Sequence, residues 1–429
     1  MRYQRLFFLI LIGWYLILAL GHYFDQRPLW NDELCVLNSI VHLKPNELFT
    51  RPLLSDQAFP RLYLWAIQQF SNPLNQNLMS LRLFSLMAMI GAFFVWFKIA
   101  RRVLDDSWDL ILFIGCWCGS MPLVYHAAEL KPYSMDTLAS GLIVLYLLKG
   151  DSLNCPLFTY RVTLLFLPLL GLWSYPAIFL LLLPLYNMVR DSFDKRRWMP
   201  ELSYFLGGYF LMLGLVYLLD FRASASYLME VYWHDYFISL HSLKDFLGTF
   251  GKGMNNLISR RFAESPRWVK GPSRIFIGLG VGWMLAAFWG QLKKDRFVLR
   301  SIVPVAFAVF VVQLVLAVLR VYPFAVPRMS LFFSPLLFLM TVVALRFIYQ
   351  RFKPLGLALR ILFAGYLIFV SLGITWDVFI KRDLGAESTL YDFFGKGNAG
   401  LDVPIEMVLT KHLYDPGLFH DFKRLGMHS

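Results

Sequence analysis

The sequence predicts an all-α membrane protein in which about eleven helices cross the bilayer. Three observations lead to this fold class. Hydrophobic residues make up 58% of the 429 residues and charged residues only 16%, against about 45–50% and about 25% in a soluble domain. Apolar runs of about 20 residues recur along the chain. Basic residues gather in alternate connections between these runs. This composition argues against a soluble enzyme and against a disordered chain.

The candidate spans follow one another along the chain from residue 6 to residue 375. The stretch 161–190 is either two short spans, broken at Trp173-Ser174-Tyr175-Pro176, or one kinked helix, because proline interrupts helical hydrogen bonding. The predicted spans are 6–23, 81–100, 110–128, 133–149, 161–174, 175–190, 200–220, 273–292, 301–320, 328–347 and 356–375.

The positions of lysine and arginine predict which side of the membrane each connection faces. Basic residues collect in cytoplasmic loops, so we expect the N-terminus, with Arg2 and Arg5, to be cytoplasmic. A transmembrane domain would then cover 1–375, with outer loops at 24–80 and 221–272 and a short outer C-terminal segment at 376–429. This loop bias and anionic lipid account for the net charge of +13, and no nucleic-acid-binding signature accompanies it.

The first outer loop, 24–80, is more than a linker. The stretches 31–49 and 59–70 carry apolar residues at helical spacing, which predicts two helices lying in the membrane interface.

The segment Trp30-Asn31-Asp32-Glu33 follows the first span on the outer side. A carboxylate here can act as a general base on a hydroxyl group or bind a divalent cation, and the tryptophan offers an apolar face to a sugar ring. The same residues also suit the N-terminal turn of a helix, where negative charge is favoured. The two interpretations are compatible, because a helix start would hold the carboxylate still.

Two further outer connections carry charged residues at span ends. Glu129-Leu130-Lys131-Pro132-Tyr133 joins the third and fourth spans, at a depth where ionisable groups are costly and often functional. Tyr322-Pro323 and Arg328 lie in the turn between the ninth and tenth spans, and Arg82 opens the second span. Each could instead be an ordinary interfacial anchor.

The three motifs share one face of the membrane and together supply carboxylates and cations. Transfer of a group from a lipid phosphate needs both, because the acceptor hydroxyl must lose a proton and the leaving phosphate gains negative charge.

With these motifs, the chain resembles the GT-C superfamily of integral-membrane glycosyltransferases. It is most similar to the bacterial branch related to protein O-mannosyltransferases and the lipid A aminoarabinose transferase. The resemblance rests on the acidic pair Asp32-Glu33, the junction Glu129-Leu-Lys131-Pro-Tyr133, and the late Tyr322-Pro323 turn with Arg328. It covers about residues 1–350 in architecture. Lys131 stands where the family usually has arginine, so the phosphate would meet a point charge instead of a fork.

The resemblance implies a polyprenyl-phosphate-linked sugar as donor and transfer to an acceptor hydroxyl on the outer face, with inversion at the anomeric carbon. It assigns the role of general base to Asp32, assisted by Glu33. Glu129 would bind either the acceptor or, together with Asp32, a divalent metal such as Mg²⁺ or Mn²⁺. It implies a bacterial inner membrane as the location. The residues expected to bind the donor are Trp30, Arg82, Lys131, Tyr133, Tyr322 and Arg328.

Two other classes remain open from the sequence. A transporter or flippase of a lipid-linked saccharide would need ionisable groups near the middle of the bilayer and broken helices there. A non-catalytic membrane scaffold would need none of the charged residues for chemistry. The acceptor, whether protein, lipid or polysaccharide, and the sugar itself are not encoded in a readable motif.

Overall fold

A computed structural model describes residues 2–25, 27, 29–54, 59–149, 157–196, 198–223, 236–262, 267–292 and 301–381. Within these ranges the chain forms helices and short connections, without a β-strand. Nearly all of the predicted C-terminal segment, from 382 onward, lies outside the described residues, as does 224–235 in the predicted outer loop 221–272. The α-helices are α1 (Arg2–Phe24), α2 (Asn31–His42), α3 (Glu47–Thr50), α4 (Arg61–Ser71), α5 (Leu78–Val103), α6 (Ser107–Cys118), α7 (Met121–Tyr125), α8 (Tyr133–Lys149), α9 (Leu157–Phe166), α10 (Tyr175–Leu180), α11 (Leu182–Asp194), α12 (Pro200–Leu219), α13 (Leu243–Ser259), α14 (Arg267–Leu292), α15 (Ile302–Val318), α16 (Ser334–Arg351) and α17 (Lys353–Trp376).

Six helical stretches of the described chain are long and apolar enough to cross a membrane. Counting α6 and α7 with the turn that follows as one bent span, with an angle of 62° between its halves, gives seven. The all-α class is confirmed, and the helices are compatible with an integral membrane protein, but eleven spans are not confirmed. The six are Leu6–Phe24, Leu78–Val103, Pro200–Leu219, Trp268–Gly290, Leu331–Arg351 and Lys353–Ile380.

The remaining predicted spans correspond to shorter or interrupted apolar helices. Tyr133–Leu148 and Ile302–Val318 are continuous but fall within the 10–17-residue class, short of a full span. The stretch 161–190 is broken twice. A 3₁₀ segment containing Pro168 follows α9, and Leu181 separates α10 from α11. Proline explains the first interruption, because it lacks the N–H that continues an α-helix.

The stretch Leu331–Arg351, which includes α16, lies at the centre of the bundle and is the most buried of the six, with 78% of its apolar window inside the protein. It packs against α6, α14 and α17. The approach of α14 is close at Gly280, where a Cβ atom would lie 2.7 Å from the backbone nitrogen of Thr341. A second tight pair, α5 and α8, forms the part of the bundle nearest the acidic pair.

The predicted helices of the first outer loop are present as α2, α3 and α4. Many of their apolar residues pack on one another and on the start of α5 in a small separate core. Leu37, Leu48, Leu64 and Ile67 are fully buried there. The loop is therefore a packed cap over one end of the bundle. We call this the cap end.

An ion-pair network joins three helices at the opposite end. The carboxylate of Asp109 on α6 is buried, 2.7 Å from Arg360 on α17 and 3.9 Å from Arg346 on α16. Asp105, just before α6, lies 2.9 Å from Arg346. The network fixes the relative positions of α6, α16 and α17 away from the cap end.

Candidate functional site

Asp32 and Glu33 lie in the first turn of α2. The segment Trp30–Glu33 is therefore a helix start, and this is compatible with a carboxylate available for chemistry. Trp30 precedes the helix with an extended backbone, and its N–H donates to a carboxylate oxygen of Glu33 at 3.4 Å. The helix dipole favours the negative charges of Asp32 and Glu33 in this turn. The helix start therefore holds both carboxylates in place.

Asp32 lies between two cations at the surface of the cap end. Its Oδ2 is 2.7 Å from Nη1 of Arg328 and 3.7 Å from Nζ of Lys131. The Asp32 side chain is 25% exposed, against 18% for Arg328 and 6% for Lys131. The Arg328 guanidinium also lies 5.2 Å from the centre of the Trp30 ring, a cation–π distance. Asp32 and Arg328 are the partly exposed charged side chains of the site, and Lys131 is buried beside them.

Glu33 is fully buried beneath Asp32 and binds two arginines. Its carboxylate accepts from Nη1 of Arg27 at 2.8 Å and from Nε and Nη2 of Arg82 at 3.2 and 3.0 Å. The backbone N–H of Leu130 donates to the same carboxylate at 2.8 Å. Glu33 thus joins α2, α5 and the α7–α8 connection. Such a buried carboxylate is stable only because its partners neutralise it.

Glu129 is the second fully buried carboxylate and orients the tryptophan. Its Oε1 accepts from Nε1 of Trp30 at 2.9 Å, and its Oε2 is hydrogen-bonded to Nδ1 of His126. Burial acts to raise the pKa of Glu129. The charge and hydrogen bond of His126, with Arg27 and Lys131, outweigh it and lower that pKa to about 2. Glu129 is therefore ionised at neutral pH, and it fixes the ring against which Arg328 lies.

Two tyrosines predicted to bind the donor flank this cluster. Tyr133, at the start of α8, is 8% exposed and within electrostatic reach of Asp32, Glu129 and Arg328. The Tyr322 hydroxyl donates to the backbone carbonyl of Met329 at 2.8 Å. It thereby closes the turn that carries Arg328. Tyr322 supports the site through the backbone of that turn.

The structure brings all nine predicted site residues to one end of the bundle, but at two depths. Asp32, Arg328 and Trp30 are partly exposed, whereas Lys131, Glu33, Arg82 and Glu129 are buried. Sequence reasoning missed Arg27 as a partner of Glu33, and it did not single out His126 as the partner of Glu129. The only sequence signal for Arg27 is an arginine near the end of an apolar run, which is also typical of an interfacial anchor.

A divalent metal was expected at Asp32 and Glu129. In the described part of the chain no three His, Cys, Asp or Glu side chains are grouped as cation ligands. Both oxygens of Glu129 accept hydrogen bonds from protein groups, and Asp32 already faces two cations. As arranged, these residues do not form a cation site, and the metal remains a prediction.

The basic side chains of the site outnumber its carboxylates, so the site carries an excess of positive charge. Among the described residues of the cluster, Arg27, Arg82, Lys131 and Arg328 face the carboxylates of Asp32, Glu33 and Glu129. An anion placed beside Lys131 and Arg328 would balance this excess and would compete with Asp32 for both cations. The arrangement has the groups that a phosphate site with an adjacent base would need.

Comparison of the chain with protein-family models, with curated proteins and with solved structures gives no match. The structure defines a class, a helical chain with helices of membrane-spanning length and a buried charge cluster under a helical cap.

Proposed function

We propose that the chain is a membrane glycosyltransferase that moves a sugar from a polyprenyl-phosphate donor to an acceptor hydroxyl. The observation that carries this proposal is the position of Asp32, a partly exposed carboxylate between Arg328 and Lys131. A carboxylate that could act as the base and two cations that could hold a phosphate stand side by side, which supports the proposal. Helices of membrane-spanning length next to the cluster suit a donor with a long lipid tail.

The reaction needs one proton acceptor and one anion site. As the donor phosphate binds Arg328 and Lys131, Asp32 loses its ion pairs and becomes available to the acceptor. Asp32 takes the proton of the acceptor hydroxyl while the acceptor oxygen bonds to the anomeric carbon. The bond from that carbon to the phosphate oxygen breaks, and the two cations stabilise the lipid phosphate that leaves. A single displacement of this kind inverts the configuration at the anomeric carbon.

The buried residues would act by position. Glu33, with Arg27 and Arg82, keeps the first turn of α2 in place, so that Asp32 points toward the cations. Glu129 holds the Trp30 indole, and the indole in turn lies against Arg328. We assign to Glu33 the role of a positioning residue beneath the base.

Donor turnover tests the proposal. The purified protein in liposomes is incubated with a panel of radiolabelled decaprenyl-phosphate sugars and candidate acceptors, and loss of the lipid-linked sugar is followed. The Asp32→Asn variant should fold normally and lose turnover by at least about 100-fold, as expected for a general base. Glu47→Gln is the matched control, because Glu47 is a carboxylate of similar exposure, 20%, in the same loop. Unchanged turnover in Asp32→Asn would refute the assignment.

A transporter of a lipid-linked saccharide is the second candidate. The bent pair α6–α7 favours it, because broken helices are typical of transport sites. The charges oppose it, since the cluster lies at the cap end and not midway along the bundle. Accumulation of an intact lipid-linked sugar in the opposite leaflet of the liposomes, without covalent change, would support transport. A scaffold would show neither turnover nor accumulation.

A further inference from the structure

A buried carboxylate outside the charge cluster is left incompletely bonded. Asp136 is the fourth residue of α8 and is 4% exposed. Its carboxyl group is hydrogen-bonded to the hydroxyl of Ser174, but Oδ1 has no hydrogen-bond partner among the described residues. A buried polar atom without a partner costs stability, so such atoms usually face a ligand or water.

The surroundings of Asp136 are aromatic. Tyr63, Tyr133, Tyr175 and Tyr322 all lie within electrostatic reach of its carboxyl group. Three of these tyrosines have hydroxyls bonded elsewhere: Tyr63 to Ser85, Tyr175 to Asp220 and Tyr322 to Met329. Their hydroxyls are therefore held in position.

Asp136 also lies close to the cluster that would bind the donor phosphate. Tyr133 and Asp136 are three residues apart on α8 and so share one face of that helix. Tyr133 is within electrostatic reach of Asp136 on one side and of Asp32 and Arg328 on the other. A group bonded directly to a phosphate at Arg328 and Lys131 would extend from the cations along Tyr133 toward Asp136.

An acceptor oxygen among aromatic rings suits a saccharide. The C–H faces of a sugar pack on aromatic rings, and its hydroxyl or amino groups donate to a carboxylate. We propose that Asp136 and these tyrosines form the subsite for the glycosyl group of the donor. In this subsite, Oδ1 of Asp136 accepts a hydrogen bond from one sugar substituent and sets the choice of sugar. The inference rests on the proposed function, because the glycosyl group is placed by the phosphate.

The alternative is a structural role in which Asp136 only links α8 to α10 through Ser174. The two roles differ in what they predict for binding. If Asp136 is structural, its substitution should weaken the binding of every ligand equally. If it binds the sugar, its substitution should weaken only the part of the affinity that the sugar contributes.

The experiment compares bare decaprenyl phosphate with decaprenyl-phosphate mannose, glucose and arabinose, binding to the full chain in nanodiscs. The sugar increment is the ratio of the two dissociation constants. We expect at least one sugar to increase affinity. In Asp136→Leu, which has no oxygen to accept the bond, this increment should fall about tenfold, as for loss of one buried hydrogen bond, while the affinity for bare decaprenyl phosphate stays within about twofold. Ser140→Ala is the control, since Ser140 lies one turn further along α8 and its hydroxyl donates to backbone carbonyls.

Deoxy donors test the same contact in the unmodified protein, so the result does not depend on the folding of a variant. For one position on the sugar ring, removing the hydroxyl should abolish the increment, and the same removal should have no further effect in Asp136→Leu. Additive losses from the deoxygenation and the substitution would overturn the inference, as would a wild-type protein that prefers no sugar in the panel. Failure to bind bare decaprenyl phosphate would instead refute the proposed function.

Discussion

Asp32 and Arg328 are 296 positions apart in the chain and meet at 2.7 Å, an ion pair at the surface of the cap end. The pair joins the first turn of α2 to the turn between α15 and α16. Because both side chains are partly exposed, the pair itself adds little stability. Its position suggests that the contact matters for ligand binding more than for folding.

Replacing Arg328 should therefore separate binding from stability. We expect Arg328→Gln to weaken the binding of decaprenyl phosphate by about 10–100-fold, because a charge-assisted contact to phosphate is lost. The free energy of unfolding should fall by less than about 1 kcal/mol. Arg328→Lys should show an intermediate affinity, since lysine keeps the charge without the two-pronged geometry. Titration of the lipid phosphate in nanodiscs measures the affinity. The control is Arg51→Gln, a 64% exposed arginine of the first outer loop, and an equal loss in that variant would contradict the prediction.

Glu33 should show the opposite pattern. The Glu33→Gln variant leaves Arg27 and Arg82 buried without their common carboxylate. We expect a loss of about 3–5 kcal/mol in the free energy of unfolding, the usual consequence of removing one partner of a buried ion pair. Thermal and chemical unfolding in detergent would measure it. Glu47→Gln, a partly exposed carboxylate, should change stability by less than about 1 kcal/mol. A Glu33→Gln protein as stable as the wild type would refute the positioning role.

Glu129 should make the protein sensitive to acid. Its pKa is lowered from 4.5 to about 2 in the folded state, so the folded protein favours the ionised form. The resulting stabilisation is present above pH 4.5 and is lost as the pH falls toward about 2. Unfolding measured across this range should show a steeper loss of stability in the wild type than in Glu129→Gln. Parallel pH profiles of the two proteins would contradict this expectation.

Metal dependence is tested by chelation. Since Lys131 and Arg328 already provide positive charge beside Asp32, binding of decaprenyl phosphate is expected to continue in the presence of EDTA. The measurement is the dissociation constant with chelator, compared with excess Mg²⁺ or Mn²⁺. A loss of binding on chelation that Mn²⁺ restores would instead place a cation in the site, as the family resemblance implies.

Sequence alone predicted a large part of this molecule. The composition and the apolar runs predicted an all-α chain with helices of spanning length. The short charged motifs around Asp32, Glu129 and Arg328 indicated residues that the structure brings to one end. The helical spacing in the loop 24–80 correctly predicted helices there. These features are local, because hydrophobic periodicity and helix-terminal residues act over a few turns.

Other features depended on long-range packing. The apolar faces of α2 and α4 share a core in which Leu37 and Leu64 are buried. The spacing of apolar residues predicts such faces, but it does not reveal what they pack against. The count of eleven spans is not confirmed, since a broken helix and a spanning helix have similar apolar composition.

The depth of each charged residue was also decided only by the tertiary structure. Asp32 and Glu33 are adjacent in the chain and both acidic, yet one is partly exposed and the other is fully buried. Successive residues of a helix point in directions about 100° apart, so neighbours in sequence face different surroundings. The sequence determined which residue types could carry the chemistry. The packing of α2 against α5 and the α7–α8 connection decided that Asp32 faces the cations while Glu33 binds Arg27 and Arg82 inside.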